Sequence, residues 1–147
     1  MVFSRQAMLA VLIGYSARAG CPVTQPPNPE FVPPPPFRTQ PGPGRFYIGT
    51  PKLWVASFHD WTGLGSRVRF PWFANDIGDD EMAVARLSIE GKRMDGNALR
   101  LIVEGPNVGI LPDYRFFASV LVFPSAGCWQ IWAKRKDTVL NFTVWIP

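Results

Sequence analysis

The last twenty residues of the chain alternate between apolar and polar side chains on both sides of a short polar tip. Residues 128–134 and 139–146 flank the tip at 135–138, and this pattern predicts a terminal β-hairpin. If Arg135 pairs with Thr138, one face of the hairpin is wholly apolar and is predicted to lie in the core. The predicted pairs on that face are Trp129 with Val144, Ile131 with Phe142 and Ala133 with Leu140. A shift of one residue would expose the whole face, so the register is well specified.

Several other stretches also alternate with a period of two. Strands are predicted within residues 52–58, 67–72, 84–90 and 98–104, separated by turns rich in glycine, proline, asparagine and aspartate. Residues 116–123 are a nearly continuous apolar run, as expected for a strand that is covered on both sides. About seven short strands in a domain of about 105 residues predict an all-β fold, a two-sheet β-sandwich. Pro71 predicts that its strand lies at a sheet edge or ends there. Gly105-Pro106-Asn107 is expected to break the chain between strands.

Residues 1–20 have the order of an export signal, with one positive residue, a short apolar run and small residues before Cys21. Two interpretations of the processing site stay open. Ala19-Gly20-Cys21 fits a lipobox, in which lipid on Cys21 anchors the protein to a membrane, although Arg18 stands where a leucine-like residue is usual. Alternatively, Ala17-Arg18-Ala19 is an A-x-A site for ordinary signal peptidase, which releases the chain. We favour lipidation, which predicts an extracytoplasmic, envelope-anchored protein.

Residues 21–44 are predicted to be a proline-rich spacer in front of a domain at 45–147. Ten prolines lie within residues 22–44, and proline lacks an amide hydrogen and fixes its own φ. We therefore expect an extended, disordered polyproline II segment that holds the domain away from the membrane. In an oxidising compartment the two cysteines could form a disulfide, which would pull the spacer back onto the domain. We instead expect different fates, with Cys21 lipidated and Cys128 a small buried apolar residue.

The charge balance argues against a nucleic-acid partner. The formal net charge is +4, but two of the 15 basic residues lie in the predicted signal, and the remaining 13 nearly balance the 11 acidic residues. The resulting field is too weak to attract nucleic acid. Lys134-Arg135-Lys136 is interpreted as a hairpin tip in water rather than a phosphate site.

The sequence shows no motif for catalysis. His59 is the only histidine and is followed by Asp60, but neighbouring residues on a strand point to opposite faces, so this pair is not a catalytic triad. We therefore predict a protein that is not an enzyme and needs no cofactor. An alternative function is an extracytoplasmic calcium or other metal-binding domain that uses the acidic loop 76–81. Its candidate ligands are Asp76, Asp79, Asp80 and Glu81.

Tryptophans supply the candidate ligand or partner face. Trp132 and Trp145 are predicted on the less buried face of the terminal hairpin, and Trp61, in the loop beside His59, is also expected to be exposed. Exposed tryptophans stack on sugar rings or anchor protein partners. The sequence thus predicts a non-enzymatic binding or structural module of the cell envelope. Its partner would be an envelope protein or a glycan.

Three short elements resemble a known group of proteins. Residues 123–129 contain the Pro-x-x-Gly-Cys-Trp element, and a strand, a tip and a final apolar strand follow it. This end resembles that of uncharacterised bacterial lipoproteins with an immunoglobulin-like domain. Those proteins are also similar to this chain at the Lys-Leu-Trp-Val stretch (52–55) and the Gly-Lys-Arg-x-Asp-Gly turn (91–96). The resemblance implies an immunoglobulin-like fold over residues 45–147 and an envelope location, and it implies no activity.

Overall fold

The structure is a computed structural model that describes residues 20–78 and 86–147. Apart from Gly20, the predicted signal peptide lies outside the described residues, as does the first part of the strand predicted at 84–90. The described ranges contain eight strands: β1 (Arg45–Thr50), β2 (Leu53–Phe58), β3 (Arg67–Phe73), β4 (Leu87–Arg93), β5 (Ile102–Ile110), β6 (Arg115–Val122), β7 (Gly127–Arg135) and β8 (Thr138–Ile146).

The strands form two antiparallel sheets, one with the order β1-β2-β3-β6-β5 and the other with the order β4-β7-β8. The all-β, β-sandwich prediction is therefore confirmed. Aromatic side chains fill the space between the sheets, and Trp72, Trp129 and Phe70 are fully buried. Phe70 of β3 stacks on Phe142 of β8 with ring centroids 5.8 Å apart, which joins the two layers directly. Such rings bury large apolar areas, worth about 25 cal/mol per Å².

The terminal hairpin has the predicted register. Arg135 pairs with Thr138, Trp129 with Val144 and Ile131 with Phe142. The turn between β7 and β8 has two residues, and Lys136 adopts a φ of 54°, which suits the twist of a tight hairpin. The inner face is buried along the whole hairpin, as the alternation requires.

Of the two alternatives predicted for Pro71, the edge strand is wrong, because β3 lies between β2 and β6, and the strand ends two residues after Pro71, at Phe73. The pairing between β2 and β3 is short, however, and consists of Trp54 with Phe73 and Val55 with Trp72. Pro71 pairs with β6 but has no partner on β2. Its missing N–H therefore removes no bond between β2 and β3, which explains how an interior strand tolerates proline.

The predicted break at Gly105-Pro106-Asn107 lies inside β5 as a bulge. The register with β6 shifts between Glu104 and Asn107, and Gly105 has a φ of 91°, which glycine adopts readily. The strand also begins later than predicted, at Ile102. Leu99, near the start of the strand predicted at 98–104, therefore lies outside β5 and is 38% exposed.

Residues 21–44, which we call the amino-terminal strap, pack on the domain instead of forming a free spacer. Near its start, the backbone N of Thr24 donates to the carbonyl of Thr143 at 2.9 Å, and the Thr143 N donates to the Thr24 hydroxyl at 2.8 Å. β8 is the edge strand at this point, so the strap covers part of its unpaired edge. Further along, Phe31 and Phe37 pack on Trp54, with ring centroids 5.8 and 4.7 Å away.

The expectation of a disordered spacer is wrong for a physical reason. Both faces of β2 are apolar, so its outer face needs a cover, and the two phenylalanines of the strap supply it. The hydroxyl of Tyr47, beside Trp54, also donates to the carbonyl of Arg38 at 2.9 Å, which ties the strap to β1. Proline prevents secondary structure here without preventing packing.

Candidate functional site

The outer face of the three-stranded sheet has one half-buried tryptophan near its centre. Trp132 of β7 pairs with Glu90 of β4 on one side and with Asn141 of β8 on the other. Its indole N–H donates to Glu90 Oε2 at 3.2 Å, which fixes the orientation of the ring. A flat apolar ring, a carboxylate and an amide therefore lie side by side across three strands. We call this row the Trp132 face.

Trp145 and Trp61 do not join the Trp132 face. Trp145 is half-buried and pairs with Cys128, and at about 3.3 Å per residue it lies about 13 Å further along β8 than Asn141. The prediction that Trp61 is exposed is wrong, because only 5% of the residue is accessible. Its ring stacks on Phe70 at 5.9 Å, so this loop residue belongs to the core.

Cys21 and Cys128 form a disulfide, with Cα atoms 5.6 Å apart. The prediction of separate fates for the two cysteines is therefore wrong. Disulfides form and persist in oxidising compartments, so the bond indicates an extracytoplasmic location. The sulfur of Cys21 in this bond has no valence left for the thioether of a lipoprotein. The disulfide and lipidation of Cys21 exclude each other in one molecule.

A small polar network holds Cys128 at the start of β7. Asp95 Oδ1 accepts hydrogen bonds from the Cys128 backbone N at 2.8 Å and from Arg93 Nε at 3.1 Å. The hydrogen bond from Cys128, assisted by Arg93, holds the pKa of the Asp95 carboxyl below its ordinary value. Gly127 has a φ of 134°, and a Cβ there would lie 2.6 Å from Arg93 Nε. The Gly-Cys-Trp element therefore needs glycine at this position.

His59 is exposed and packs on a neighbouring ring. Its imidazole lies 4.8 Å from the Phe46 ring, and its backbone N donates to the carbonyl of Gly44. Asp60 accepts a hydrogen bond from the backbone N of Thr62 at 2.9 Å, as in a turn. These contacts order the loop before Trp61.

The carboxylate of Asp76 bonds to two cations of the β7–β8 tip. Arg135 donates to Oδ1 and Lys136 to Oδ2, each at 2.5 Å. Partial burial raises the pKa of Asp76, but the hydrogen bonds from Lys136 and Arg135 outweigh it, so the pKa lies below its ordinary value. Arg135 is only 3% exposed and lies 5.7 Å above the Phe117 ring. The prediction of a fully solvated tip is therefore wrong for Arg135.

The other predicted metal ligands, Asp79, Asp80 and Glu81, lie outside the described residues. Within residues 20–78 and 86–147, no group of three histidine, cysteine, aspartate or glutamate side chains is arranged to hold a metal ion. Asp76 offers both oxygens to cationic side chains, so a metal ion would have to displace Arg135 and Lys136. Calcium binding at the acidic loop stays a prediction.

A groove on the outer face of the five-stranded sheet was not predicted from the sequence. It has a volume of about 390 Å³ and is lined by Arg45, Arg69, Pro71, Phe73, Leu111, Tyr114, Phe116 and Ala118. The alternation of residues 67–73 places Arg69, Pro71 and Phe73 on one face. The contributions of β1, β6 and the β5–β6 turn depend on the strand order, which local patterns do not encode.

No helix in the described part of the chain is long and apolar enough to span a membrane.

Comparisons of the chain with protein-family models, curated proteins and solved structures find no match. The resemblance to envelope lipoproteins stays a prediction, and the function has to be argued from the geometry.

Proposed function

We propose that the protein is a non-enzymatic binding module of the cell envelope, built on an immunoglobulin-like β-sandwich. The strand order supports this fold. With β1 left aside, the orders β2-β3-β6-β5 and β4-β7-β8 correspond to the A-B-E-D and C-F-G sheets of an immunoglobulin constant domain. Folds of this type present their sheets and end loops to partners, and their function has to be argued from a particular surface.

The Trp132 face is the observation that carries the binding proposal. The indole of Trp132 offers a flat apolar surface, on which the C–H face of a sugar ring can stack. Glu90 and Asn141 lie directly beside it and can bond to sugar hydroxyls. Polar residues surround the row on the same outer face. They are Ser88, Lys92, Gln130 and Lys134, and the exposed Val139, which pairs with Lys134, lies on this face as well.

The residues around Trp132 favour a glycan over a protein as the ligand. Protein interfaces have an apolar core that excludes water, with polar residues at the rim. Here the two residues directly beside the aromatic ring, Glu90 and Asn141, both carry hydrogen-bonding groups, which is the composition that a hydroxyl-rich ligand needs. We therefore propose an envelope glycan as the ligand of the Trp132 face.

The location proposed here differs from lipid anchoring. Export followed by cleavage after Ala19 leaves Cys21 in the mature chain with its thiol available for Cys128. This route agrees with the second interpretation of the processing site. The strap then closes over the sandwich in the compartment where the glycan is found.

The test compares Trp132→Ala with Ile110→Ala, a change at an exposed apolar residue of β5 in the other sheet. The probes are insoluble peptidoglycan in a pull-down and soluble N-acetylglucosamine oligomers in a calorimetric titration. We expect Trp132→Ala to weaken binding at least about tenfold and Trp132→Phe to weaken it less, because stacking contributes about 1 kcal/mol or more. Ile110→Ala should bind like the wild type.

Thermal unfolding of the same variants separates binding from packing. Trp132 is half-buried, so its replacement should lower the melting temperature by only a few degrees. If the wild type binds neither probe, or if Trp132→Ala binds as well as Ile110→Ala, the glycan proposal is wrong. A large loss of stability without loss of binding would identify Trp132 as a packing residue.

A further inference from the structure

The groove on the five-stranded sheet lies on the other outer surface of the sandwich from the Trp132 face. Its volume of about 390 Å³ falls within the range of small-molecule sites, about 300 to 1,000 Å³. Its apolar wall consists of three aromatic rings and one leucine, and Arg45 and Arg69 provide positive charge. The wall residues are Phe73, Leu111, Tyr114 and Phe116.

No carboxylate of residues 20–78 or 86–147 balances the charge of Arg69. Two residues earlier on the same face of β3, Arg67 forms a bidentate pair with Glu104. The Nη2 atom of Arg67 lies 2.7 Å from Oε2 of Glu104. In the part of the chain that the structure describes, Arg69 has no such partner. The residues that line the groove include no aspartate or glutamate. An anion entering the groove would therefore meet uncompensated positive charge.

Arg45 is held in place without a carboxylate partner among the described residues. Its guanidinium lies 4.1 Å from the centroid of the Phe58 ring, and its Nη1 atom donates to the carbonyl of Ala56 at 3.4 Å. Burial lowers the pKa of Arg45, as expected for a partly buried cation without a neighbouring anion. Since these contacts use only part of its five N–H donors, the others can bind a ligand.

We propose that this groove binds a small organic anion, with the anionic group at Arg45 and Arg69 and an apolar body against the aromatic wall. The strap limits the groove at one side, because Phe37 packs on Tyr114 with ring centroids 4.6 Å apart and on Phe73 at 6.2 Å. The ligand therefore combines a charged end with an apolar part of limited length. This site is separate from the proposed glycan face and does not depend on it.

The test uses the purified mature protein, with its signal peptide removed and its disulfide intact. Its ligands are matched pairs of charged and uncharged probes. The pairs are 2-naphthoate with 2-naphthamide for an aromatic body, and decanoate with decanamide for an aliphatic one. In calorimetric or NMR titrations we expect at least one carboxylate to bind about tenfold more tightly than its amide. The pair that shows this preference identifies the type of apolar body.

Arg69→Gln is the decisive variant, because Arg69 is exposed and has no ion-pair partner within the described ranges, so its replacement should leave the fold intact. We expect this variant to lose most of the preference for the carboxylate over the amide, because only Arg45 then remains to bind the anionic group. Lys134→Gln, on the other sheet, is the control and should keep the preference of the wild type. Melting temperatures verify that both variants are folded.

Three results would overturn the proposal. The wild type could bind neither carboxylate at millimolar concentration, it could bind acid and amide equally, or Arg69→Gln could keep the full preference. None of these results bears on the Trp132 face, because binding of N-acetylglucosamine oligomers is measured independently.

Discussion

Arg135 is a buried cation whose charge is balanced by a residue far away in the chain. Asp76 lies 59 residues earlier, and its carboxylate accepts a hydrogen bond from the guanidinium at the tip of the terminal hairpin. The Nε atom of Arg135 is buried and has no hydrogen-bond partner among the described residues. A buried charge is tolerated only with a well-placed partner, so Asp76 is essential for this arrangement.

We therefore expect Asp76→Asn to reduce the free energy of unfolding by about 1–3 kcal/mol at neutral pH, because it leaves a buried cation without a counter-charge. The measurement is urea unfolding. Asp137→Asn is the control, since Asp137 is 83% exposed and 4.0 Å from Lys52 and should contribute about 0.5 kcal/mol or less. Equal effects of the two substitutions would contradict this account.

The stabilisation by Asp76 depends on pH in a direction that can be predicted. The pKa of Asp76 in the folded state lies below its ordinary value of 3.8, so the stabilisation is present above pH 3.8 and is lost as the pH falls through the folded value. The difference in unfolding free energy between wild type and Asp76→Asn should therefore shrink as the pH is lowered from 7 to below 3.8. A constant difference would show that the charge of Asp76 is not involved.

At the scale of elements, the strands were easier to predict than their neighbours. A period of two located β2, β3, β7 and β8 and assigned the faces of the terminal hairpin, because it is a local property of the backbone. A nearly continuous apolar run located β6. The edge prediction for β3 failed because partner order depends on contacts between distant strands. The strap was misjudged because proline content excludes regular structure but is silent about Phe31 and Phe37.

The disulfide joins the start of the strap to the start of β7, and the two cysteines are 107 residues apart in sequence. Closing so long a loop restricts the unfolded chain, with an effect of about 2–5 kcal/mol. We expect Cys21→Ser to lower the free energy of unfolding by this amount in urea titrations.

Reduction provides the control for this prediction. A thiol reductant should destabilise the wild type as much as the substitution does, and it should leave the Cys21→Ser variant unchanged. If the variant were as stable as the oxidised wild type, the strap would be held by its other contacts alone.

At the scale of the whole molecule, the strap contacts both sheets. Its first residues bond to Cys128 and Thr143 of the smaller sheet, and its later residues pack on Trp54 of the larger one. A lipid anchor on Cys21 would leave the strap without its disulfide and would place the membrane at that end of the sandwich. The processing site therefore decides whether the strap is held by its disulfide or the protein is attached to a membrane through Cys21.

Mass spectrometry of the mature protein tests the processing site. We expect an amino terminus at Gly20, no acyl chain, and a mass two hydrogens below that of the reduced chain, because Cys21 is bonded to Cys128. As a control, Ala19→Phe should accumulate the uncut precursor, since the processing site needs a small residue. Acyl chains on Cys21 would show that the lipoprotein interpretation is correct and that the disulfide does not form in the cell.

By itself, the sequence determined the β class, the register of the terminal hairpin and its buried face. These properties follow from the alternation of neighbouring residues, which assigns each side chain to a face of the sheet. Only the tertiary structure decided that Cys21 reaches Cys128, that Trp61 is buried, that Asp76 neutralises Arg135 and that Arg45 and Arg69 line one groove. These contacts join residues far apart in the chain, and their free energies depend on the packing of the sheets and strap, which no local pattern records.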